Sequence, residues 1–195
     1  SHHRLAEESR RAAALEERAA SLDALDGLLN TVAGVLDVRS VFDRISQIGQ
    51  TVMPHDAMTI VVPSGKPGIA RLYAATGDLS HLAVHMEIPV VDPKLLTRTW
   101  DFELLDDIAQ IPALANAPAM KEGMRSILIM PIRSGELVAA VNFLSRTPGR
   151  FTRDDVPMAR RITDHIALAL SHERLAEEMR KSEELRSRTA NIGLL

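Results

Sequence analysis

The stretch that decides the fold is residues 123–155, which read GMRSILIMPIRSGELVAAVNFLSRTPGRFTRDD. Two runs in it, 126–132 and 137–144, are apolar at nearly every position and too short to cross a bilayer. Such runs are typical of central strands that are covered on both faces. Gly135 lies in the short polar turn between them, where a tight hairpin needs backbone freedom. The stretch therefore predicts a β-hairpin at the centre of a sheet.

A long helix is predicted directly after this hairpin. Thr152 can cap its first turn, and Asp154 and Asp155 follow where the helix dipole favours negative charge. A shorter helix is predicted over residues 38–53, because its apolar residues recur at helical spacing and form one stripe. Pro54 ends it.

Further strands are predicted at residues 57–62, 69–75 and 100–105, where short apolar or alternating runs are bounded by turn residues. Two long connections, 77–99 and 107–123, lie between the predicted strands and contain prolines. Structured connections of this length beside a sheet are usually functional. We therefore expect an α+β fold: a central antiparallel sheet of five or six strands, with helices on one face and the connections on the other.

Composition narrows the class of protein. A hydrophobic content of 46% over 195 residues supports a real core, and a net charge of −3 argues against a nucleic-acid surface. No apolar run reaches membrane length. The chain has no cysteine, which excludes disulfides and thiol chemistry and suits the cytoplasm. We expect a cytoplasmic domain without a direct nucleic-acid or membrane partner.

The first helix carries a heptad seam. Leu15, Leu22, Leu29 and Leu36 recur every seven residues, and the outer positions are rich in Glu and Arg. The pattern favours a two-stranded parallel coiled coil, at least over residues 4–25. The alternative is an amphipathic helix packed on its own domain.

The end of the chain repeats its beginning. Aligning residues 1–25 with 171–195 gives 12 identities in 25 positions and keeps the heptad register. The repeat predicts one unit of a tandem array, with an output domain elsewhere in the same longer chain and a homodimer joined through the terminal helices. The predicted divisions are a coiled-coil helix at 1–36, a domain at 37–170 and a second coiled-coil helix at 171–195.

The ordered pieces of residues 38–175 resemble a GAF domain. These pieces are GMRSILIMPI, a short turn, a second strand, then FTRDD and a helix that ends IALALSHERL. The resemblance implies a regulatory signalling module rather than an enzyme. Relatives that reduce free methionine sulfoxide use cysteines, and most bilin carriers attach the pigment to one, whereas this chain has none. We expect no catalytic residues.

Cyclic-nucleotide-binding members of that family carry Asn-Lys, followed later by Phe, three residues and Asp-Glu. Here Asn142 precedes Phe143, and Phe151 is followed after three residues by Asp155 and Val156. The missing Lys would have paired with the Asp, so the ion pair of those pockets is absent. This departure argues against a cyclic nucleotide and leaves the ligand unidentified.

The resemblance also implies a ligand site between one face of the sheet and the long connections. There Arg71 and Arg125 could hold a carboxylate or phosphate, and Asp107 could contact a ligand from a strand end. The alternatives are surface positions for the arginines and core packing for Trp100 and Phe102. No metal site is predicted. The candidate ligand-binding residues are Thr59, Val61, Arg71, Tyr73, Trp100, Phe102, Asp107, Met124, Arg125, Ser126 and Asn142.

Two functions follow from this interpretation. The first is a sensor that binds a small molecule and relays the signal through its coiled-coil helices. The second is a ligand-free dimerisation and spacer module. A cavity large enough for a molecule favours the first, and a site filled by Trp100, Met124 and their neighbours favours the second.

Overall fold

The computed structural model describes residues 2–33, 38–97, 99–133 and 137–193. The predicted hairpin turn at Gly135 lies outside these ranges. Within them the chain forms four α-helices and six strands, joined in part by short 3-10 helices. The α-helices are α1 (His2–Ala33), α2 (Val38–Gln50), α3 (Pro118–Lys121) and α4 (Val156–Ile192).

The strands form one antiparallel sheet in the order β3-β2-β1-β6-β5-β4. The two apolar runs of the decisive stretch pair with each other and lie near the middle of this order, which confirms the predicted sheet. The strands are β1 (Ala57–Pro63), β2 (Ile69–Gly77), β3 (Glu87–Pro89), β4 (Glu103–Leu105), β5 (Ser126–Pro131) and β6 (Ala140–Ser145).

One face of the sheet is covered by α2 and α4, as predicted, and Leu25 of α1 joins the same core. Alternate residues of each central strand point to the same face, so every second side chain enters this core. Burial of these apolar side chains is the main force that holds the helices to the sheet. The helix-side core includes Phe42, Ile45, Met58, Ile60, Leu128, Met130, Val141, Phe143, Ile162 and Ile166.

The opposite face is covered by the two long connections, 78–102 and 106–125. Short 3-10 helices at Pro93–Leu96, Ile108–Gln110 and Pro112–Leu114 lie in these connections, together with α3. Their apolar side chains pack on the remaining strand residues. This second core, the connection-side core, includes Val61, Leu72, Leu79, Leu95, Trp100, Ile108, Leu114, Met124, Ile127 and Leu144.

The strand predicted at residues 100–105 is shorter in the structure and covers Glu103–Leu105. Alternation along the predicted strand would place Trp100 and Phe102 on one face of the sheet, and the structure places them on opposite faces. Residues 100–102 precede the strand, so its alternation does not extend to Trp100. Trp100 packs in the connection-side core, whereas Phe102 packs against the helix-side core. The connection 77–99 also contains β3, a strand that the sequence did not predict.

Helix α4 begins after a capping box. The Thr152 hydroxyl accepts a hydrogen bond from the Asp154 amide at 3.3 Å, and the Asp155 carboxylate accepts one from the Thr152 amide at 2.9 Å. These bonds satisfy backbone donors that no helical turn can reach. The sequence-predicted cap at Thr152 is confirmed.

Helices α1 and α4 run parallel to each other. Arg18 of α1 lies 4.0 Å from Asp154, while Asp26 pairs with Arg161 and lies 3.3 Å from His165. Contacts thus advance in the same direction along both helices. The first half of α1 and the last half of α4 therefore leave the domain at opposite ends. Among the described residues, no helix has the length and apolar character needed to cross a membrane.

Candidate functional site

A cavity of ≈ 80 Å³ lies between the sheet and the two long connections. Its floor is formed by side chains from β1, β2, β5 and β6 that point away from the helices. Its walls and roof are formed by the connections. The floor includes Thr59, Val61, Ala70, Ile127, Ile129, Ala140, Asn142 and Leu144, and the roof includes Leu79, Leu82, Ile88, Val90, Leu95, Ile108, Leu114 and Ala117.

The lining is almost wholly apolar. Among the described residues that line the cavity, none is charged, and two, Thr59 and Asn142, have polar side chains. The Asn142 amide nitrogen donates a hydrogen bond to the Thr59 hydroxyl at 3.0 Å. The Asn142 amide oxygen is buried and has no hydrogen-bond partner in the described part of the chain. An apolar enclosure with a few polar groups is the usual form of a small-molecule site.

Three of the sequence-predicted residues, Thr59, Val61 and Asn142, meet in this lining. Trp100 and Met124 are buried in the same connection-side core but do not line the cavity. The Trp100 indole donates a hydrogen bond to the Thr97 carbonyl oxygen at 3.0 Å, which fixes its ring outside the space. The two large side chains therefore leave the cavity open.

Arg125 and Asp107 bind each other rather than facing the cavity. The guanidinium donates two hydrogen bonds to the carboxylate, at 2.8 and 2.7 Å. Asp107 also accepts one from the Ala109 amide at 3.1 Å, which caps a 3-10 helix. The Arg125 hydrogen bonds lower the pKa of the Asp107 carboxyl, and Asp107 raises the pKa of Arg125. The pair ties the start of one connection to its end.

Four other predicted residues lie away from the cavity. Ser126 is buried at the start of β5, where its hydroxyl donates to the Thr147 carbonyl oxygen at 2.7 Å. Arg71 is exposed and is paired in register with Val62, which packs on the helix side. Tyr73 and Phe102 also pack against the helix-side core. The Arg153 guanidinium lies over the Phe102 ring, 5.5 Å from its centre.

Sequence reasoning missed the roof of the cavity. Its aliphatic side chains come from connections that show no regular periodicity, so no pattern assigned them to a face. The signal that could have found them is composition. Seven aliphatic residues between Leu82 and Leu96 are more than an exposed connection would carry, and they needed an apolar surface to cover.

The described residues contain no group of three or more His, Asp or Glu side chains placed to hold a metal ion. His81 lies 3.1 Å from the Glu122 carboxylate. The site is therefore characterised by its apolar cavity rather than by charged or ligating groups.

A family model described as the GAF domain matches residues 35–171. No curated protein sequence matches the chain. Solved structures of similar fold include the GAF domain of a phosphoenolpyruvate-protein phosphotransferase from Coxiella burnetii, at 17% identity and a TM-score of 0.65, covering 83% of this chain and 98% of that one.

Two further structures show how widely the fold is used. Free methionine-R-sulfoxide reductase from Neisseria meningitidis is 15% identical with a TM-score of 0.60, covering 82% of this chain and 93% of that one. A phycoerythrobilin-bound GAF domain of a cyanobacterial phytochrome is 12% identical with a TM-score of 0.60, covering 82% and 99%. At these identities the likeness concerns the fold alone, so the function must be argued from the site.

Proposed function

The chain belongs to the GAF domain family, and we propose that it is a regulatory sensor domain that binds a small molecule in the cavity between sheet and connections. GAF domains are sensor and signalling domains. The observation that carries the proposal is the cavity itself, which lies beside the buried apolar side chains of the connection-side core.

A contact at the base of the exit helix supports a relay of the signal. The Tyr73 hydroxyl donates a hydrogen bond to the Glu173 carboxylate of α4 at 3.0 Å, and the Arg39 guanidinium lies 5.1 Å from the centre of the Tyr73 ring. Tyr73 lies where the pairing of β1 and β2 shifts register between Ile60 and Val61. Val61 lines the cavity, so a ligand that moves Val61 acts on the strand pair that holds Tyr73.

Glu173 is placed to pass such a movement onward. Beyond it, nearly all described residues of α4 are exposed, so the helix has left the domain. We take residues 171–195 as the exit helix toward an output domain in the same longer chain, residues 37–170 as the sensor, and residues 1–36 as the entry helix. A ligand shifts this output only if it binds one arrangement of the helices more tightly than the other.

The proposal includes a parallel homodimer formed by the exposed ends of α1 and α4. It also includes a cytoplasmic location, on the ground of the cysteine-free sequence, and a role without catalysis. The Neisseria reductase is an enzyme on the same fold, but the described lining of the cavity here offers no acidic or basic side chain to a bound molecule.

Native mass spectrometry of the 195-residue chain purified from a cell lysate tests the proposal. We expect the wild-type chain to carry an additional non-covalent mass that is lost on collisional activation. Ala140→Leu should remove that mass, because Ala140 is on the cavity floor and the larger side chain fills the space. Ala113→Leu, the same change at an exposed connection residue, should keep it.

A wild-type chain that appears only at its bare mass would contradict the proposal and favour the ligand-free spacer module. Equal retention by wild type and Ala140→Leu would contradict the location of the site. Circular dichroism of all three proteins establishes that the sheet and helices have formed.

A further inference from the structure

We propose that the cavity takes an uncharged, largely apolar molecule, no larger than a small ring or short chain, that donates one hydrogen bond to the Asn142 side-chain oxygen. The inference rests on the proposed sensor function and adds the chemical class of the ligand. It follows from one side chain in an unusual place and from the chemistry of what surrounds it.

Asn142 lies in the middle of the sheet. It belongs to β6 and is paired in register with Thr59 of β1 on one side and Ile129 of β5 on the other. Asparagine is disfavoured in strands, and a buried amide oxygen without a partner destabilises the fold. Residues that break such rules without local compensation are characteristic of functional positions. A ligand O–H or N–H in the cavity would supply the missing donor.

Water is a poor occupant of this space. A buried water needs two to four polar partners. The two polar side chains of the described lining are already bonded to each other. The other described lining residues are Val, Leu, Ile, Ala and Pro, whose side chains form no hydrogen bonds. An apolar molecule gains from contact with those walls, while its single donor reaches the amide oxygen.

Charge is excluded by the same lining. An ionised ligand would lose its hydration without meeting a counter-charge, because the lining residues that the structure describes are all neutral. Arg125, which directly precedes β5, is bound to Asp107 through two hydrogen bonds, and Arg71 of β2 lies away from the cavity. Carboxylates, phosphates and cyclic nucleotides are therefore disfavoured.

The volume limits the size of the ligand. A cavity of about 150 Å³ lined by Leu, Ile and Phe accepts benzene. The cavity here is ≈ 80 Å³, roughly half of that. The volume therefore favours a small ring or a short chain over a larger molecule.

Pyrrole, furan and acetate test the class. Pyrrole and furan are rings of nearly the same shape that differ in one N–H donor, and acetate is smaller and charged. In chemical-shift titrations of the 195-residue chain, we expect pyrrole to bind about tenfold or more tightly than furan. We expect acetate not to bind at concentrations at which pyrrole saturates the protein. At saturation, the Asn142 side-chain amide signals should shift further with pyrrole than with furan, because only pyrrole donates a hydrogen bond to the amide oxygen.

Asn142→Val removes the amide but keeps a side chain suited to a strand. In this variant pyrrole and furan should bind with about equal affinity. Ile129→Val is the matched control, because it alters the shape of the same floor without altering its polarity. That variant should change both affinities together and keep their ratio. If Asn142→Val does not fold, the wild-type ratio and the amide shift still decide the question.

Equal affinity for pyrrole and furan, or tighter binding of acetate, would overturn the ligand class and leave the sensor function standing. If none of the three binds, the molecule retained in native mass spectrometry decides: a neutral donor supports the class, and a charged or donor-free molecule overturns it. If pyrrole, furan and acetate all fail to bind and no molecule is retained, both the proposed ligand class and the sensor function are overturned.

Discussion

His55 is a buried histidine whose hydrogen bonds suit the neutral ring. Its Nε2 lies 2.8 Å from the Ser46 hydroxyl, and its Nδ1 lies 2.8 Å from the Met53 carbonyl oxygen. A carbonyl accepts, so Nδ1 carries the proton and Nε2 accepts from Ser46. Burial lowers the pKa of His55 below 6.5, outweighing the hydrogen bond to Met53 and the nearby Asp56 charge, which raise it.

We therefore expect the free energy of unfolding to fall as pH drops below 6.5. The unfolded chain then binds a proton that the folded chain resists, so stability is full above the unfolded pKa and is lost through the window below it. Urea unfolding between about pH 8 and about pH 5 measures this slope. His55→Gln should flatten it, and His3→Gln, at an exposed position of α1, should not. An unchanged slope in His55→Gln would assign the dependence to other groups.

Gly77 is required by both its conformation and its surroundings. Its φ is +68°, and a Cβ there would collide with the Asp56 carbonyl oxygen and lie 3.1 Å from the Ala57 Cα. Gly65 has a φ of +87°, but no described heavy atom lies within 4 Å of its Cβ position. Gly65→Ala should therefore cost about 1–2 kcal/mol from backbone strain alone, and Gly77→Ala clearly more. Thermal unfolding compares them, and equal losses would argue against the close approach.

At the scale of secondary-structure elements, the attachment of α1 depends on a small set of contacts. Leu25 is buried in the helix-side core, and Asp26 pairs with Arg161 and His165 of α4. Asp26 interrupts the heptad seam, and the structure gives the reason: this turn of α1 packs on its own domain. The interpretation of α1 as a helix packed on its own domain thus holds for this turn, and the coiled coil over residues 4–25 stays a prediction. Residues 3–20 are exposed, while Leu25 is buried.

Asp26→Ala should loosen this part of α1 without unfolding the domain. A partly exposed ion pair contributes about 0.2–1 kcal/mol, so we expect amide hydrogen exchange in residues 18–26 to rise severalfold while the sheet is unchanged. Asp23→Ala removes an exposed carboxylate from the same helix and should have no such effect. Equal exchange in both variants would show that Leu25 alone holds the helix.

The sequence predicted the features that depend on local patterns, and it did not predict contacts between residues that are far apart in the chain. The apolar runs of β5 and β6 and the Thr152 cap are local patterns, and both were predicted correctly. The Arg125–Asp107 pair joins residues 18 positions apart across an irregular connection, and no sequence pattern predicts such a contact. Trp100 was misassigned because alternation was extended three residues beyond a strand that has only three. Asn142 was selected through the family resemblance, in which it matches the Asn of the cyclic-nucleotide signature.

At the scale of the whole molecule, the large exposed apolar side chains lie mostly on two helical extensions, the exposed start of α1 and the part of α4 after Glu173. Leu5, Leu15, Leu175, Leu185 and Ile192 are each more than half exposed. Burying one leucine contributes about 1.5–3 kcal/mol, so these positions favour association with a second chain. The parallel course of α1 and α4 lets the two extensions pair in the same sense at opposite ends of the domain.

We expect the wild-type chain to sediment as a dimer at tens of micromolar. Leu15→Glu combined with Leu175→Glu should give a monomer with an unchanged melting temperature of the domain core, because both side chains are exposed in one chain. Val84→Glu changes an exposed apolar residue of the connection, off the helices, and should remain dimeric. A monomeric wild-type chain would contradict the homodimer.

The central claim is that a molecule in the cavity acts on the exit helix. Hydrogen exchange of the wild-type chain, with and without saturating pyrrole, tests this most directly. We predict slower exchange in β1 and β6 and altered exchange in α4 around Glu173, with the second effect lost in Tyr73→Phe. Protection confined to the cavity strands, with α4 unchanged in the wild-type chain, would contradict the account.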